Sequence, residues 1–145
     1  MSDFWTVNKR IQAINLDELK MQAVEAEAGR ILTLNKEQLN KGETWKGSKI
    51  KPKYKSPYYS RKKNKLNSVP GLGVPDINLS GKLQNRMNIS FQNNATYSIW
   101  SFVDYAAFVL PRYLNILGLS DKNEEKIQPF TTARLGQLFK KEAGL

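Results

Sequence analysis

Between Thr44 and Pro75 the chain carries no acidic residue, while Lys46, Lys49, Lys51, Lys53, Lys55, Arg61, Lys62, Lys63 and Lys65 place nine positive charges there. Pro52, Pro57, Pro70 and Pro75, with Gly47, Gly71 and Gly73, interrupt the same stretch. Proline lacks an amide donor and glycine costs backbone entropy, so neither a long helix nor a central strand can run through it. The sequence therefore predicts a long basic arm or loop over 44–75, with one helical turn around Tyr58 to Lys63. Regular structure must come from its two flanks.

That segment supplies nearly all of the formal net charge of +10, from 23 basic and 13 acidic residues. Such an excess attracts polyanions: nucleic acid, an anionic membrane surface or an acidic protein. Cysteine and histidine are absent from the sequence. Disulfides, thiolate chemistry, Cys/His zinc sites and imidazole catalysis are thereby excluded. The first residues lack a basic segment followed by an apolar run, so no signal peptide is expected. The longest apolar run, Tyr105 to Leu110, is far short of the roughly 20 residues of a membrane-spanning helix.

The N-terminal flank reads as helical over 1–43. Phe4, Val7, Ile11 and Ile14 follow a three-four spacing, with Phe4 and Trp5 expected to anchor the terminus. Asn15 can cap a second helix whose first turn holds Asp17 and Glu18, where the helix dipole favours negative charge. Its stripe of Leu16, Leu19, Ala23, Ala26, Arg30, Ile31, Leu34 and Gln38 predicts one long helix ending near Gly42, the longest in the protein.

The C-terminal flank, 76–145, reads as a helix-hairpin-helix core. Ser80 caps a short helix bearing Leu83 and Met87 on one face. Met87 to Gln92 alternates, with Ile89 and Phe91 on one side, and pairs with Thr96 to Val103 as an antiparallel hairpin turned at Asn93-Asn94-Ala95. Tyr105 to Leu110 is a short helix or a buried strand that Pro111 stops. Arg112 to Gly118 is an extended or looped return. Ser120 caps a helix that Pro129 ends or kinks, and Thr132 to Ala143 forms a final helix with Leu135, Leu138 and Phe139 inside. The fold class is thus α+β in one domain over 1–145: a small antiparallel sheet flanked by a long N-terminal helix and C-terminal helices, with the basic arm between them.

Two short pieces invite stronger readings. Pro70-Gly-Leu-Gly-Val-Pro75 lacks the third glycine and the Lys-Ser/Thr ending of a phosphate-binding loop, so it reads as a turn. Asp121, Glu124 and Glu125 lie in first helical turns, where the dipole explains them better than a metal does. Asp104 is expected to end the second strand with its oxygens in solvent, and Trp100 to face the core. No nucleophile, base or metal set converges, no cofactor is expected, and the chain reads as non-enzymatic.

The aromatics Trp45, Tyr54, Tyr58 and Tyr59 among the lysines are the interface candidates. They could stack on bases, as in single-strand binders. Alternatively they dock the arm on its own domain or on a neighbouring subunit. The nine cations are contact candidates for phosphate or for a partner protein, since lysine suits non-specific contact as a point charge without a fixed fork.

Four pieces in a fixed order carry a family resemblance: Trp45 in a basic glycine-containing loop, then Leu79-Ser80-Gly81-Lys82-Leu83, then Tyr105-Ala106, then Leu117-Gly118-Leu119-Ser120-Asp121 with Glu124 and Glu125. Over roughly two thirds of the chain this order resembles the virion-morphogenesis or tail-completion proteins of tailed bacteriophages. The glycine that commonly follows the Tyr-Ala segment in that family is absent here. The resemblance implies a structural subunit of a head-tail connector, neck or tail-completion ring: a homo-oligomer joining portal, connector and tail proteins. It implies a virion location, assembly in the host cytoplasm, and a basic arm that meets neighbours or packaged double-stranded DNA. The rival reading is a small cytoplasmic nucleic-acid-binding protein that uses the lysine-rich arm.

Overall fold

The computed structural model describes residues 3–78, 81–92 and 95–145. The fold is α+β. Helices α1 (Phe4–Ala13), α2 (Leu16–Glu25), α3 (Ala28–Asn40), α4 (Pro57–Leu66) and α5 (Lys82–Asn85) precede strands β1 (Met87–Gln92) and β2 (Thr96–Ser101), which α6 (Ala106–Arg112) and α7 (Asp121–Ala143) follow.

The helix starts follow local chemistry. Asp3, Asn15, Ser56 and Ser120 each accept a backbone N–H three residues on, at the heads of α1, α2, α4 and α7, satisfying a donor the helix itself leaves free. The expected cap at Ser80, like Leu79 beside it, lies outside the described residues. Gly81, at φ 73°, holds the cap position of α5.

The single long N-terminal helix is corrected to two. Glu27, at φ −101° and ψ 12°, separates α2 from α3, and Gly29 is not the break. The interruption re-aims the chain, so that Leu19 and Ala23 pack on α7 while Ile31, Leu34 and Leu39 enter the two buried clusters. The longest helix is instead α7, with 23 residues. It runs through Pro129, which removes one backbone bond in a helix that packs against α1, α2 and α3. Likewise Pro111 does not stop α6; it sits in the last turn, and Tyr113 N closes the helix on Val109 O at 2.9 Å.

The two strands pair as the expected antiparallel hairpin. Ile89 pairs with Ile99 and Phe91 with Tyr97, and their burial alternates with exposed Asn88, Ser90 and Gln92 for the period-two reason. Asn93 and Asn94 of its turn lie outside the described residues. β2 ends at Ser101, earlier than expected, and Val103 enters the core from a turn where Ala106 N bonds Val103 O. Asp104 is exposed, as read from the sequence, whereas Trp100 is only half-buried and packs edge-on against Phe102. Leu135, Leu138 and Phe139 are half-buried. Phe4 and Trp5 do not anchor the terminus: they pack edge-on against each other and remain exposed, because α1 buries no residue.

Of the arm or long loop expected over 44–75 the structure has the loop, and the single helical turn expected within it is corrected. Residues 44–75 fold back on the domain, with a ten-residue helix, α4, in place of one turn. Ile50 is wholly buried beside Leu39, Leu83 and Ile116, so the segment contributes to the main core.

Candidate interaction surface

One ion pair fastens the basic segment. Lys63 Nζ lies 2.9 Å from Asp76 Oδ1, both side chains being largely buried, and the same ammonium donates to Asn78 O at 2.9 Å. Asn67 Nδ2 donates to the other Asp76 oxygen at 3.2 Å and to Asn40 O at 2.8 Å. The Asp76 carboxylate also accepts from Asn78 N at 3.0 Å, and Gln84 Nε2 bonds Asp76 O and Asn40 Oδ1. One end of α4 is thereby tied to the end of α3 and to α5. A buried carboxylate with this many donors is compensated rather than reactive. Lys63 therefore leaves the set of contact candidates: its charge is directed inward.

The other eight cations, Lys46, Lys49, Lys51, Lys53, Lys55, Arg61, Lys62 and Lys65, are exposed. Two of them have local partners. Lys46 lies over the Trp45 ring at 5.4 Å, and Lys49 Nζ donates to Lys41 O at 3.1 Å, at the end of α3 where carbonyls are left free.

The aromatic candidates divide. Tyr54 and Tyr59 meet edge-on at 4.8 Å and are half-buried, so they dock the segment on its own domain. Burial, reinforced by the Asp76 charge, pushes the Tyr54 hydroxyl well above its ordinary pKa of 10.0. Tyr58 points away and is exposed. Trp45 is partly exposed, and its backbone N–H donates to Asn115 O at 2.9 Å. Its ring packs so closely on Gly118 that a Cβ there would lie 3.2 Å from Cδ1.

Sequence reasoning missed a second polar structure. Asn35 and Gln38 of α3 are buried, and their amides hold residues 116–123 from across the fold. Asn35 donates to Ile116 O and accepts from Gly118 N at 3.0 and 3.1 Å. Gln38 donates to Gly118 O and accepts from Ser120 N and Asn123 Nδ2, each at 3.0 Å. A polar residue recurring on an otherwise apolar stripe was the available signal for Gln38. Likewise Ser56-Pro57 is a helix-start signature that foretells α4.

The turn reading of Pro70–Pro75 agrees with the geometry: Val74 N bonds Gly71 O, and Gly73 O accepts from Tyr54 N at 2.9 Å. Glu124, one of the first-turn acids, accepts a short hydrogen bond from the Tyr97 hydroxyl. Burial, then that bond, raises the Tyr97 pKa above its ordinary 10.0. No group of three or more acids is placed to hold a metal among the described residues, and no helix of these residues is long and apolar enough to cross a membrane. Compared with protein-family models, with curated proteins and with solved structures, the chain matches none of them.

Proposed function

We propose that this protein is a non-enzymatic structural subunit of a tailed-phage head-tail connector, neck or tail-completion ring, assembling with copies of itself and with other virion proteins. The observation that carries the proposal is the pair Trp100 and Phe102 at the end of β2, ring centroids 3.8 Å apart, with Phe102 71% exposed. Aromatic rings are enriched at protein interfaces, and an exposed ring backed by a half-buried one is a larger apolar feature than a scattered single residue. Phe4 and Trp5 on α1 form a second such pair. The order of the four sequence pieces described above supplies the phage context.

Light scattering and electron microscopy of the protein alone and with portal or tail partners test this. A ring is expected in at least one setting, and Phe102→Ser should weaken it without unfolding the subunit. A monomer in both settings overturns the proposal.

The second reading, a nucleic-acid-binding protein, is favoured by the eight exposed cations of residues 44–75. It requires duplex or single-strand binding that weakens steeply with salt and disappears when these residues are neutralised. If neutralisation abolishes assembly while nucleic-acid binding persists, this second reading fails.

A further inference from the structure

The exposed cations of residues 44–75 are not evenly spread. Lys49, Lys51 and Lys53 meet Arg112, from the end of α6, around a cleft of about 580 Å³. Pro52, Val74 and Leu114 give the same cleft an apolar wall. Thr44 and Ser48 also line it, but their hydroxyls bond each other at 2.9 Å. Its volume falls within the range of roughly 300–1,000 Å³ common for ligand-holding clefts.

The walls are fixed by one backbone bond between segments far apart in sequence and one within the loop. Trp45 N donates to Asn115 O at 2.9 Å, and Ile50 N to Gly42 O at 2.8 Å. The four cations have no acidic counterpart in the cleft. None of the ion pairs Lys20–Asp17, Arg30–Glu27 and Lys63–Asp76 involves them. Glu43, the acid closest in sequence, lines the neighbouring cleft with Lys46 and Asp121 instead. Four like charges gathered beside an apolar wall create a strong local potential for anions.

We infer that this cleft docks an acidic peptide segment of a partner protein, one that carries an apolar residue between its acids. The carboxylates meet Lys49, Lys51, Lys53 and Arg112, the last able to offer a two-pronged contact. The apolar side chain rests on Val74 and on Leu114, which is 63% exposed. A phosphate backbone would satisfy the cations but leave that wall facing water. The inference rests on the proposed function only in treating the protein as a binding one. Ring formation is not required for it.

The test is fluorescence anisotropy of the full chain with a short labelled peptide alternating glutamate and leucine, with polyglutamate of equal length and duplex DNA as comparators. Binding of the mixed peptide is expected to weaken with salt and to fall by about tenfold or more in Lys51→Glu/Lys53→Glu. Leu114→Ser is expected to weaken the mixed peptide about tenfold, as loss of one apolar contact predicts, and to leave polyglutamate unchanged. All three substituted side chains are exposed, and circular dichroism checks that the variants stay folded. Absence of peptide binding overturns the inference. So does a Leu114→Ser variant that binds the mixed peptide as tightly as the unsubstituted chain or loses both peptides equally, or displacement of the mixed peptide by duplex DNA more readily than by polyglutamate. Light scattering on the same samples reads assembly separately, so failure of the ring and failure of the cleft are distinguishable.

Discussion

Lys63 reaches across thirteen residues of chain to bond Asp76 at 2.9 Å, and only 4% of the Asp76 side chain remains exposed. A segment read from its composition as a long basic arm or loop is thus fastened by one of its own lysines. Removing either partner leaves a buried charge without its counterion, a loss of about 3 kcal/mol or more. Lys63→Met and Asp76→Leu should each show it in urea unfolding, and the double variant should lose less than the sum. Trypsin should also cut residues 44–75 faster in either single variant. Strict additivity would show that the pair contributes nothing as a pair.

Gln38→Leu should be destabilising by about 3 kcal/mol although it makes α3 more apolar. The substitution strands Gly118 O and Ser120 N, and each buried unpaired group costs about 1–3 kcal/mol. Amide exchange at Ser120 is the direct readout, and it should accelerate before exchange in the hairpin does.

Gly42 and Gly47 separate conformational strain from crowding. Both have positive φ, 70° and 81°. A Cβ on Gly42 would lie 2.6 Å from Pro70 Cβ and 2.7 Å from Val74 Cγ1, whereas one on Gly47 would meet nothing within 4 Å. Gly47→Ala should therefore lose about 1 kcal/mol, the left-handed penalty alone. Gly42→Ala should lose clearly more, because the end of α3 must separate from the Pro70–Val74 turn. Thermal unfolding of the two variants side by side checks this.

Stability should be lost in alkali through Tyr54 and Tyr97. Both hydroxyls have raised pKa values in the fold, from burial first and then from Asp76 and Glu124 respectively. A raised folded-state value contributes stability that is complete below the unfolded value of 10.0 and is lost as pH climbs above it toward the folded value. Denaturant midpoints should accordingly fall above pH 10, and Tyr97→Phe should flatten part of that slope. Phenolate absorbance should rise together with unfolding rather than ahead of it.

What the sequence disclosed was local. Asn15 and Ser120 announce their helices because a cap needs only a side chain and the next turn, and Met87–Gln92 announces a strand because alternation needs only neighbours. The break at Glu27 was not legible, since residues 16–40 have good helical spacing throughout and tertiary packing decides where the helix turns. Lys63 looked like its fellow lysines because its acid lies beyond Pro75, outside the basic stretch. Of the interface aromatics, Tyr58 and Trp45 kept accessible surface, while Tyr54 turned inward beside residues 73–77 and 105–113 and Tyr59 packed edge-on against it, neighbours that spacing does not reveal.

The amide bonds from Asn35 and Gln38 have an order of events built into them. Their partners lie 80 to 85 residues later in the chain. On the ribosome, α3 must therefore wait with two polar side chains unanswered until residues 116–123 have emerged, and loop closure over that span is slow relative to local helix formation. Whatever local structure α3 gains beforehand, its buried face is complete only once residues 116–123 have joined it.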